Sequence, residues 1–211
     1  MNHAHTVSVR RTVEFARCSL TDFVEQAKAG AFKVGDSVSL PFCDSGNSVK
    51  IVEVVVTDVD DTGTRFETRD CLGEYVPMTR MSGFLDRVFA GLPDTLRDAI
   101  ADTERRHYDA DGNTVTTFEK LFLPAAPEIF PRESCYGDKG LYQQLEWYKD
   151  VRNRIRALEN GKDADWYWTS SRLEGTGATN WCYVYNAGNA SSYIASYTHI
   201  AAPVCFRIPK S

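Results

Sequence analysis

The sequence predicts one globular domain that mixes helices with strands, and three observations support this. Three β-rich runs follow one another over 37–72, separated by turn residues. Apolar residues recur at helical spacing over 15–31, 82–108 and 141–159. The 211-residue chain is 43% hydrophobic and 25% charged, which is typical of a globular protein long enough to bury a core without disulfides or metals.

The first predicted elements are a helix and a meander. The helix covers 15–31, with Ser19 or Thr21 as its N-cap and Gly30 at its end. A three-strand meander follows over 37–72. Its second turn carries three carboxylates, at Asp58, Asp60 and Asp61. No ordered ligand set follows them, so a solvated hairpin is favoured over a calcium loop.

The middle of the chain changes to a helical period. Two consecutive helices are predicted at 82–92 and 94–108, because a proline opens the second one and apolar residues recur at helical spacing. A strand that ends at Leu123 and a short helix nearby are expected next. The segment 109–113 resembles the start of an EF-hand loop, but its glycine stands at the wrong loop position, which indicates a turn.

A last long helix is predicted over 141–159, closed by an Asn-Gly pair. Arg152 and Arg156 would lie on one face of it. Pairing with carboxylates at the edge of the core is their expected role, and anion binding is the alternative.

Composition excludes several classes of protein. No stretch approaches the roughly 20 apolar residues of a membrane span, and the first residues lack the apolar run of a secretory signal. The formal charge of −5 disfavours nucleic-acid binding. The cysteines are scattered, which predicts buried free thiols in a reducing compartment rather than a disulfide framework or zinc site. They are Cys18, Cys43, Cys71, Cys135, Cys182 and Cys205.

The end of the chain differs in kind from the rest. Residues 175–206 contain no Asp, Glu, Lys or Arg and are rich in aromatic residues, Ser, Thr, Asn, Gly and Ala. Tyrosine provides large rigid contacts, and Ser and Asn provide adaptable hydrogen bonds, so this composition favours a binding surface. The alternative is an ordinary loop-and-strand region.

Several motifs appear in a characteristic order in the second half. They are KLFLP at 120–124, EIF at 128–130, RNRI at 152–155, WYWTSS at 166–171, YVYNAG at 183–188 and PVCFRI at 203–208. Together they resemble a prokaryotic and phage family of uncharacterised domains of the pattern LFLPS…E…nR…WWLRS…V…G…VRPA, which is similar in turn to the C-type-lectin-like variable proteins of diversity-generating retroelements. Here Ala-Ala-Pro-Val-Cys-Phe-Arg stands in place of the usual Val-Arg-Pro.

The resemblance implies an α+β, C-type-lectin-like fold with a small twisted antiparallel sheet, flanking helices and long irregular loops. Residues 1–14 would form a flexible arm and 15–211 a single domain. Within it, 15–117 would supply the N-terminal helix, meander and helices, and 118–211 the lectin-like core. The variable region would cover about 166–208.

Tryptophans are expected to anchor this core, because an indole is a large apolar group whose N–H can bind loop carbonyls. They are Trp166, Trp168 and Trp181. The alternation at 183–185 predicts a strand with a turn at Ala187 and Gly188, and 204–208 is expected to be its neighbour. Arg207, alone in that apolar strand, is expected in a buried hydrogen-bond network.

The resemblance also implies that part of the tail is diversified. Adenine-directed mutagenesis of AAC or AAT codons cannot produce Lys, Glu, Gln, Met or Trp, and none of these occurs between residues 183 and 202. A plain Asn/Ser-rich loop would show the same pattern. The positions expected to vary and to bind ligand, with mostly exposed side chains that contribute little to folding, are Tyr183, Tyr185, Asn186, Asn189, Ser191, Ser192, Tyr193, Ile194, Ser196, Tyr197, His199 and Ile200.

The predicted function is therefore recognition of a protein or glycan surface, without catalysis, cofactor or metal. No nucleic-acid partner and no membrane insertion are expected. Synthesis is expected in the cytoplasm, and display on a virion or cell surface would need a carrier. The chain carries no hydrolase, metalloprotease or nucleotide-binding motif, and its end lacks the carboxylates of calcium-dependent sugar sites.

Two other functions stay open. An oxidase-like enzyme of the formylglycine-generating type shares this general fold and would need a cysteine pair, for which Cys182 and Cys205 are the candidates. Two buried structural thiols are the favoured interpretation. The second alternative is a structural phage or cell-surface component with no specific ligand.

Overall fold

The computed structural model describes residues 19–43, 49–109, 111–132, 137–159, 163–173 and 179–211. The predicted arm at 1–14 and the first turn of the meander lie outside the described residues. So do Cys18 and Cys135.

Four α-helices are present in the described residues. The first begins where expected: the Ser19 hydroxyl accepts a hydrogen bond from the Asp22 N–H, and the Asp22 carboxylate accepts one from the Ser19 N–H, which is a capping box. The helices are α1 (Leu20–Lys28), α2 (Met81–Gly91), α3 (Asp94–Ala99) and α4 (Ala126–Ile129). Short 3-10 helices cover Met78–Arg80, Glu146–Lys149 and Val151–Arg154.

The strands form small antiparallel sheets. They are β1 (Ser37–Cys43), β2 (Val49–Asp60), β3 (Gly63–Thr68), β4 (Thr103–Tyr108), β5 (Thr114–Glu119), β6 (Arg156–Ala157), β7 (Ala164–Asp165), β8 (Tyr167–Arg172), β9 (Asn180–Val184), β10 (Ala190–Ile194) and β11 (Cys205–Pro209). One sheet has the order β1-β2-β3-β11 and another β10-β9-β8, while β4-β5 and β6-β7 are separate pairs. The fold is thus α+β, and the meander over 37–72 is confirmed.

The core joins the two ends of the chain. Phe66 on β3 stacks on Phe206 of β11 at 5.4 Å between ring centroids, and Phe23 of α1 meets Phe66 at 5.1 Å. Trp168 of β8 belongs to the same cluster. A second cluster contains Tyr148 and residues of β8 and β9. The N-terminal meander and the C-terminal tail are therefore parts of one packed unit.

The predicted second helix of the middle region ends early. Helix α3 stops at Ala99, and residues 103–108 form β4, which pairs with β5. The Ala101 N–H donates to the Arg207 carbonyl of β11, and the Arg105 side chain is drawn inward to a buried carboxylate. Tertiary pairing has overridden helix propensity here. The strand that was expected to end at Leu123 is β5, which ends earlier, at Glu119. The short helix expected nearby is α4.

The long helix predicted over 141–159 is wrong. Two 3-10 turns and β6 replace it, because side chains take the carbonyls that a helix would use. The Asn153 amide donates to the Trp147 carbonyl, and the Arg154 Nε donates to the Tyr148 carbonyl. Arg152 pairs with Asp150 at the surface, whereas Arg156 points into the core. The two arginines therefore have separate roles.

The last strand has a different neighbour from the one predicted. β11 pairs with β3, not with the strand around Tyr183. Arg207 lies at the edge of that sheet and forms ion pairs with Asp58 at 2.9 Å and Asp60 at 2.6 Å. Two of the three turn carboxylates thus form ion pairs with a partly buried arginine, so they are not solvated alone as a plain hairpin turn would be.

Among the described helices, none is both long and apolar enough to cross a membrane.

Candidate ligand-binding face

A short backbone ladder places the exposed aromatic residues of the tail. The segment 199–201 runs between two other segments: the Val76 N–H donates to the Ile200 carbonyl at 3.0 Å, and the Ala201 N–H donates to the Trp166 carbonyl at 2.9 Å. Side chains from three distant parts of the sequence therefore emerge next to one another.

Four rings form a continuous line on this surface, which we call the aromatic row: Tyr193, Tyr197, His199 and Tyr75. Successive ring centroids are 4.3, 5.5 and 5.9 Å apart. Tyr193 and Tyr75, at the two ends, are each 41% exposed, His199 is exposed and Tyr197 is partly buried. The row is an open surface of ring faces and edges with polar atoms attached.

One end of the row carries a carboxylate. The Tyr75 hydroxyl donates to Asp165 Oδ2 at 2.6 Å, and the other oxygen of Asp165 accepts the Trp166 N–H at 2.7 Å. The hydrogen bond to Asp165 raises the pKa of the Tyr75 phenol, since it stabilises the protonated form. Both side chains are thereby held in fixed positions at the surface.

A second aromatic contact continues from Asp165. Trp166 lies 5.0 Å from Tyr185 and 5.2 Å from Tyr183, measured between ring centroids. Tyr185 is exposed, Trp166 is partly buried and Tyr183 is buried. Trp166 thus connects the surface ring of Tyr185 to the core.

The turn between β9 and β10 presents two amides. The Tyr185 N–H donates to the Asn189 carbonyl and closes the turn, and Gly188 adopts φ 81°. This left-handed conformation favours glycine, and a Cβ there would also lie only 3.3 Å from Ile155 Cγ1. Asn186 and Asn189 are exposed at this tip.

Most of the predicted binding positions reach the surface. Two do not: Tyr183 is 5% exposed and packs on Trp168, and Ile200 is fully buried in the core cluster. The expected exposure of these two positions is wrong: Tyr183 lies between two buried residues of β9, Cys182 and Val184, and Ile200 packs within the core cluster. The positions that are exposed or partly exposed are Tyr185, Asn186, Asn189, Ser191, Ser192, Tyr193, Ile194, Ser196, Tyr197 and His199.

Sequence reasoning missed two members of this face. Tyr75 and Asp165 lie outside the charge-free tail and belong to no motif that marks them. Their proximity arises from the backbone pairing of Tyr75 with Ala201. No pattern within either local segment carries that information.

The three tryptophans have different roles. Trp168 is fully buried, and its Nε1 donates to the Val76 carbonyl at 2.8 Å, which confirms its predicted core role. Trp166 and Trp181 are only partly buried. The Arg172 guanidinium lies over the Trp181 ring at 4.8 Å.

A cluster of charged side chains is buried within the scaffold. Glu128 accepts hydrogen bonds from Arg65 at 2.7 Å and from Arg105 at 2.8 Å on each oxygen, and also from the Ala125 N–H. Burial by itself would raise the pKa of Glu128, but Arg105 and Arg65 hold it well below its usual range. Glu128 is therefore ionised within the protein core.

The network continues to a second carboxylate. Glu67 accepts from Arg156 and from the Tyr148 hydroxyl, and lies 3.6 Å from Arg65. Arg156 also donates to the Thr68 and Arg69 carbonyls. We call the five charged residues of this paragraph and the last, Arg65, Glu67, Arg105, Glu128 and Arg156, the buried ion network. Its burial and internal pairing indicate a structural role.

Cys71, Cys182 and Cys205 are buried thiols that form no disulfide. Cys182 lies on β9 and Cys205 on β11, which belong to different sheets. Burial raises the pKa of the Cys71 and Cys205 thiols above the ordinary range, which opposes thiolate chemistry. Within the same described residues, no group of three or more His, Cys, Asp or Glu side chains could hold a metal ion.

Comparison with known proteins gives one match. The model of a family described as "Domain of unknown function (DUF6273)" matches residues 3–210. No curated protein and no solved structure matches the chain.

Proposed function

We propose a function for this chain, which belongs to the DUF6273 family, from its exposed surface: it binds a ligand through a diversifiable recognition face. That face consists of the aromatic row, Tyr185 and the tip of the β9–β10 hairpin. The observation that carries the proposal is the row itself, in which four neighbouring rings are at least partly accessible.

The chemistry of the face suits recognition of another molecule. Tyrosine and histidine rings give large contact areas with few rotatable bonds, and their polar atoms fix the orientation of a partner. Ser191, Ser192 and Asn189 add hydrogen-bonding groups beside the rings. A few such rings can supply most of the free energy of binding.

Support for diversification comes from the separation of face and scaffold. Ten of the twelve positions that the retroelement resemblance marks are at least partly accessible. Beneath them, Trp168 and Ile200 are fully buried. Exposed side chains of this kind can change with little effect on folding, as a variable surface requires. A C-type-lectin-like fold belongs to the same proposal.

We propose no catalytic step. An oxidase of the formylglycine-generating type would need a cysteine pair. The two candidates, Cys182 and Cys205, lie on strands of different sheets. In the proposed role the protein is made in the cytoplasm and displayed by a virion or another carrier.

Randomising the face tests the proposal. A yeast-displayed library varies the ten accessible positions from Tyr185 to His199, and a control library of equal size varies ten positions of the core cluster. We expect most members of the first library, and few of the second, to keep a folded chain. Selection of the first library on hen lysozyme should then yield binders.

Two outcomes would contradict the proposal. In one, the face library loses folded display as often as the core library. In the other, selection gives no binder from well-folded members. Independently, sequencing around the gene should find a reverse transcriptase and a near-identical repeat of the variable segment. Their absence would remove diversification but leave binding.

A further inference from the structure

An apolar groove lies beside the recognition face, between α2 and the β4–β5 hairpin. Its volume is about 640 Å³, within the range of sites that bury a ligand. Its apolar walls include Met78, Met81, Leu85, Phe89, Phe118 and Trp181. Phe118 stands at its edge and is 67% exposed. Together with the groove walls it forms a contiguous apolar patch, and an exposed patch of this kind indicates a contact surface.

The groove is continuous with the aromatic row. Trp181 in the groove pairs directly with Tyr193 across β9 and β10, and residues opposite one another in an antiparallel pair project from the same face. On the other wall, the Thr79 N–H donates to the Ala195 carbonyl at 3.3 Å, which brings Met78 next to the end of β10. A ligand on the row would therefore reach the groove.

The charges at the rim favour a basic partner. Arg106 lies 3.7 Å from Glu104, and Lys120 lies 3.4 Å from Asp102, so these two cations are already matched.

Two other carboxylates at the rim are available to a basic partner. Asp86, which is exposed, and Glu119, which is partly exposed, have no cationic partner among the residues that the structure describes. At the far end of the row, Asp165 adds a third carboxylate.

We propose that the groove and the aromatic row together bind a segment of a partner protein. Its apolar side chains enter the groove, and its neighbouring Lys or Arg side chains meet Asp86 and Glu119. This inference rests on the proposed function and chooses between the two ligand classes. A glycan would leave hydroxyl groups without hydrogen bonds against walls of Met, Leu and Phe, which is costly, whereas apolar side chains gain from burial there.

Random peptides provide a probe for the groove. A phage-displayed library of 12-residue peptides is selected on the full chain, and a glycan array is screened in parallel. We expect enriched peptides that combine large apolar residues with Lys or Arg. Synthetic copies should bind the Phe118→Ala/Asp86→Lys variant about tenfold more weakly or worse. Both residues are exposed, so the variant should fold normally.

A matched control replaces the same residue classes elsewhere. Ile51 is 60% exposed on β2, and Asp61 is exposed in the β2–β3 turn. The Ile51→Ala/Asp61→Lys variant should bind the peptides within about twofold of the natural chain.

The outcomes separate this inference from the proposed function. Peptides that lose binding with Tyr193→Ala but not with the groove variant would overturn the groove and keep the recognition face. Glycans that bind where no peptide does would overturn the protein partner alone. Peptides insensitive to both changes, or no binding by either probe, would overturn both.

Discussion

The buried ion network and the aromatic row are each assembled from residues far apart in sequence, yet they obey opposite rules. In the network, Glu128 is surrounded by Arg65 and Arg105, and each buried charge needs its partner. In the row, Tyr193 and Tyr75 touch their neighbours but remain open to solvent. The difference teaches that stability and recognition are carried by separate residues in this molecule.

Adjacent residues can belong one to the exposed row and the other to the buried core. His199 is exposed and belongs to the row, while Ile200 is fully buried. The backbone bonds of 199–201 to both flanking segments hold this alternation in place. Substitutions on either side of the boundary should therefore differ sharply in effect.

The largest expected effect is at Glu128. Glu128→Gln leaves two buried arginines without their main counter-charge, so the free energy of unfolding should fall by on the order of 5 kcal/mol. Urea denaturation at pH 7 measures it. As a control, Glu74→Gln breaks an exposed pair with Arg87 and should cost less than about 1 kcal/mol. Equal losses for the two variants would refute the structural role of the network.

The same variant gives a test by pH. Because the folded pKa of Glu128 is depressed, its contribution is complete above the ordinary value of 4.5 and is lost as the pH falls through the folded pKa. The unfolding free energies of the natural chain and of Glu128→Gln should therefore converge below about pH 4.5. A constant difference between them down to pH 2 would contradict the assignment.

A somewhat smaller loss is expected at the central tryptophan. Trp168→Ala removes a fully buried indole and its hydrogen bond to Val76, so it should cost about 4 kcal/mol. Thermal unfolding followed by near-UV circular dichroism measures this. Trp166→Ala, at the half-buried position two residues earlier, is the control and should cost clearly less. A larger loss of unfolding free energy for Trp166→Ala than for Trp168→Ala would contradict the role of Trp168 as the main anchor.

The boundary within the tail gives the next effect. Ile200→Ala should cost about 3 kcal/mol, because it leaves a cavity in the core cluster. His199→Ala, one residue earlier, should stay within about 0.5 kcal/mol. Denaturation midpoints of the two variants compare them directly. If neither substitution changes the free energy of unfolding, Ile200 would not be a core residue, which would contradict its burial.

The smallest effects on stability are expected in the row. Tyr193→Asn should change the unfolding free energy by no more than about 0.5 kcal/mol, since Tyr193 is an exposed residue outside the core clusters. Its effect on binding should be at least about tenfold for peptides selected on the natural chain. Titration by fluorescence anisotropy shows this. A Tyr193→Asn variant that is clearly less stable but binds the peptides normally would show that this ring serves stability and not recognition.

Local sequence was sufficient where structure depends on residues close together. The capping box of Ser19 and Asp22 links positions three apart, and the turn at Gly188 needs only its own segment. The three β-rich runs that form β1 to β3, and the absence of charged residues over 175–206, were likewise evident from the sequence. Most of the predicted face positions proved accessible for the same reason, since their composition already marks them as surface residues.

Long-range contacts account for what the sequence did not reveal. Arg156 and Glu67 are 89 positions apart, Tyr75 and Asp165 are 90 apart, and β11 pairs with β3 rather than with its expected neighbour. Such contacts draw Arg156 into the core from a segment predicted to be a helix, and they bring Tyr75 into the row. The burial of a side chain depends on which distant segment covers it, and no local pattern of apolar residues specifies that segment.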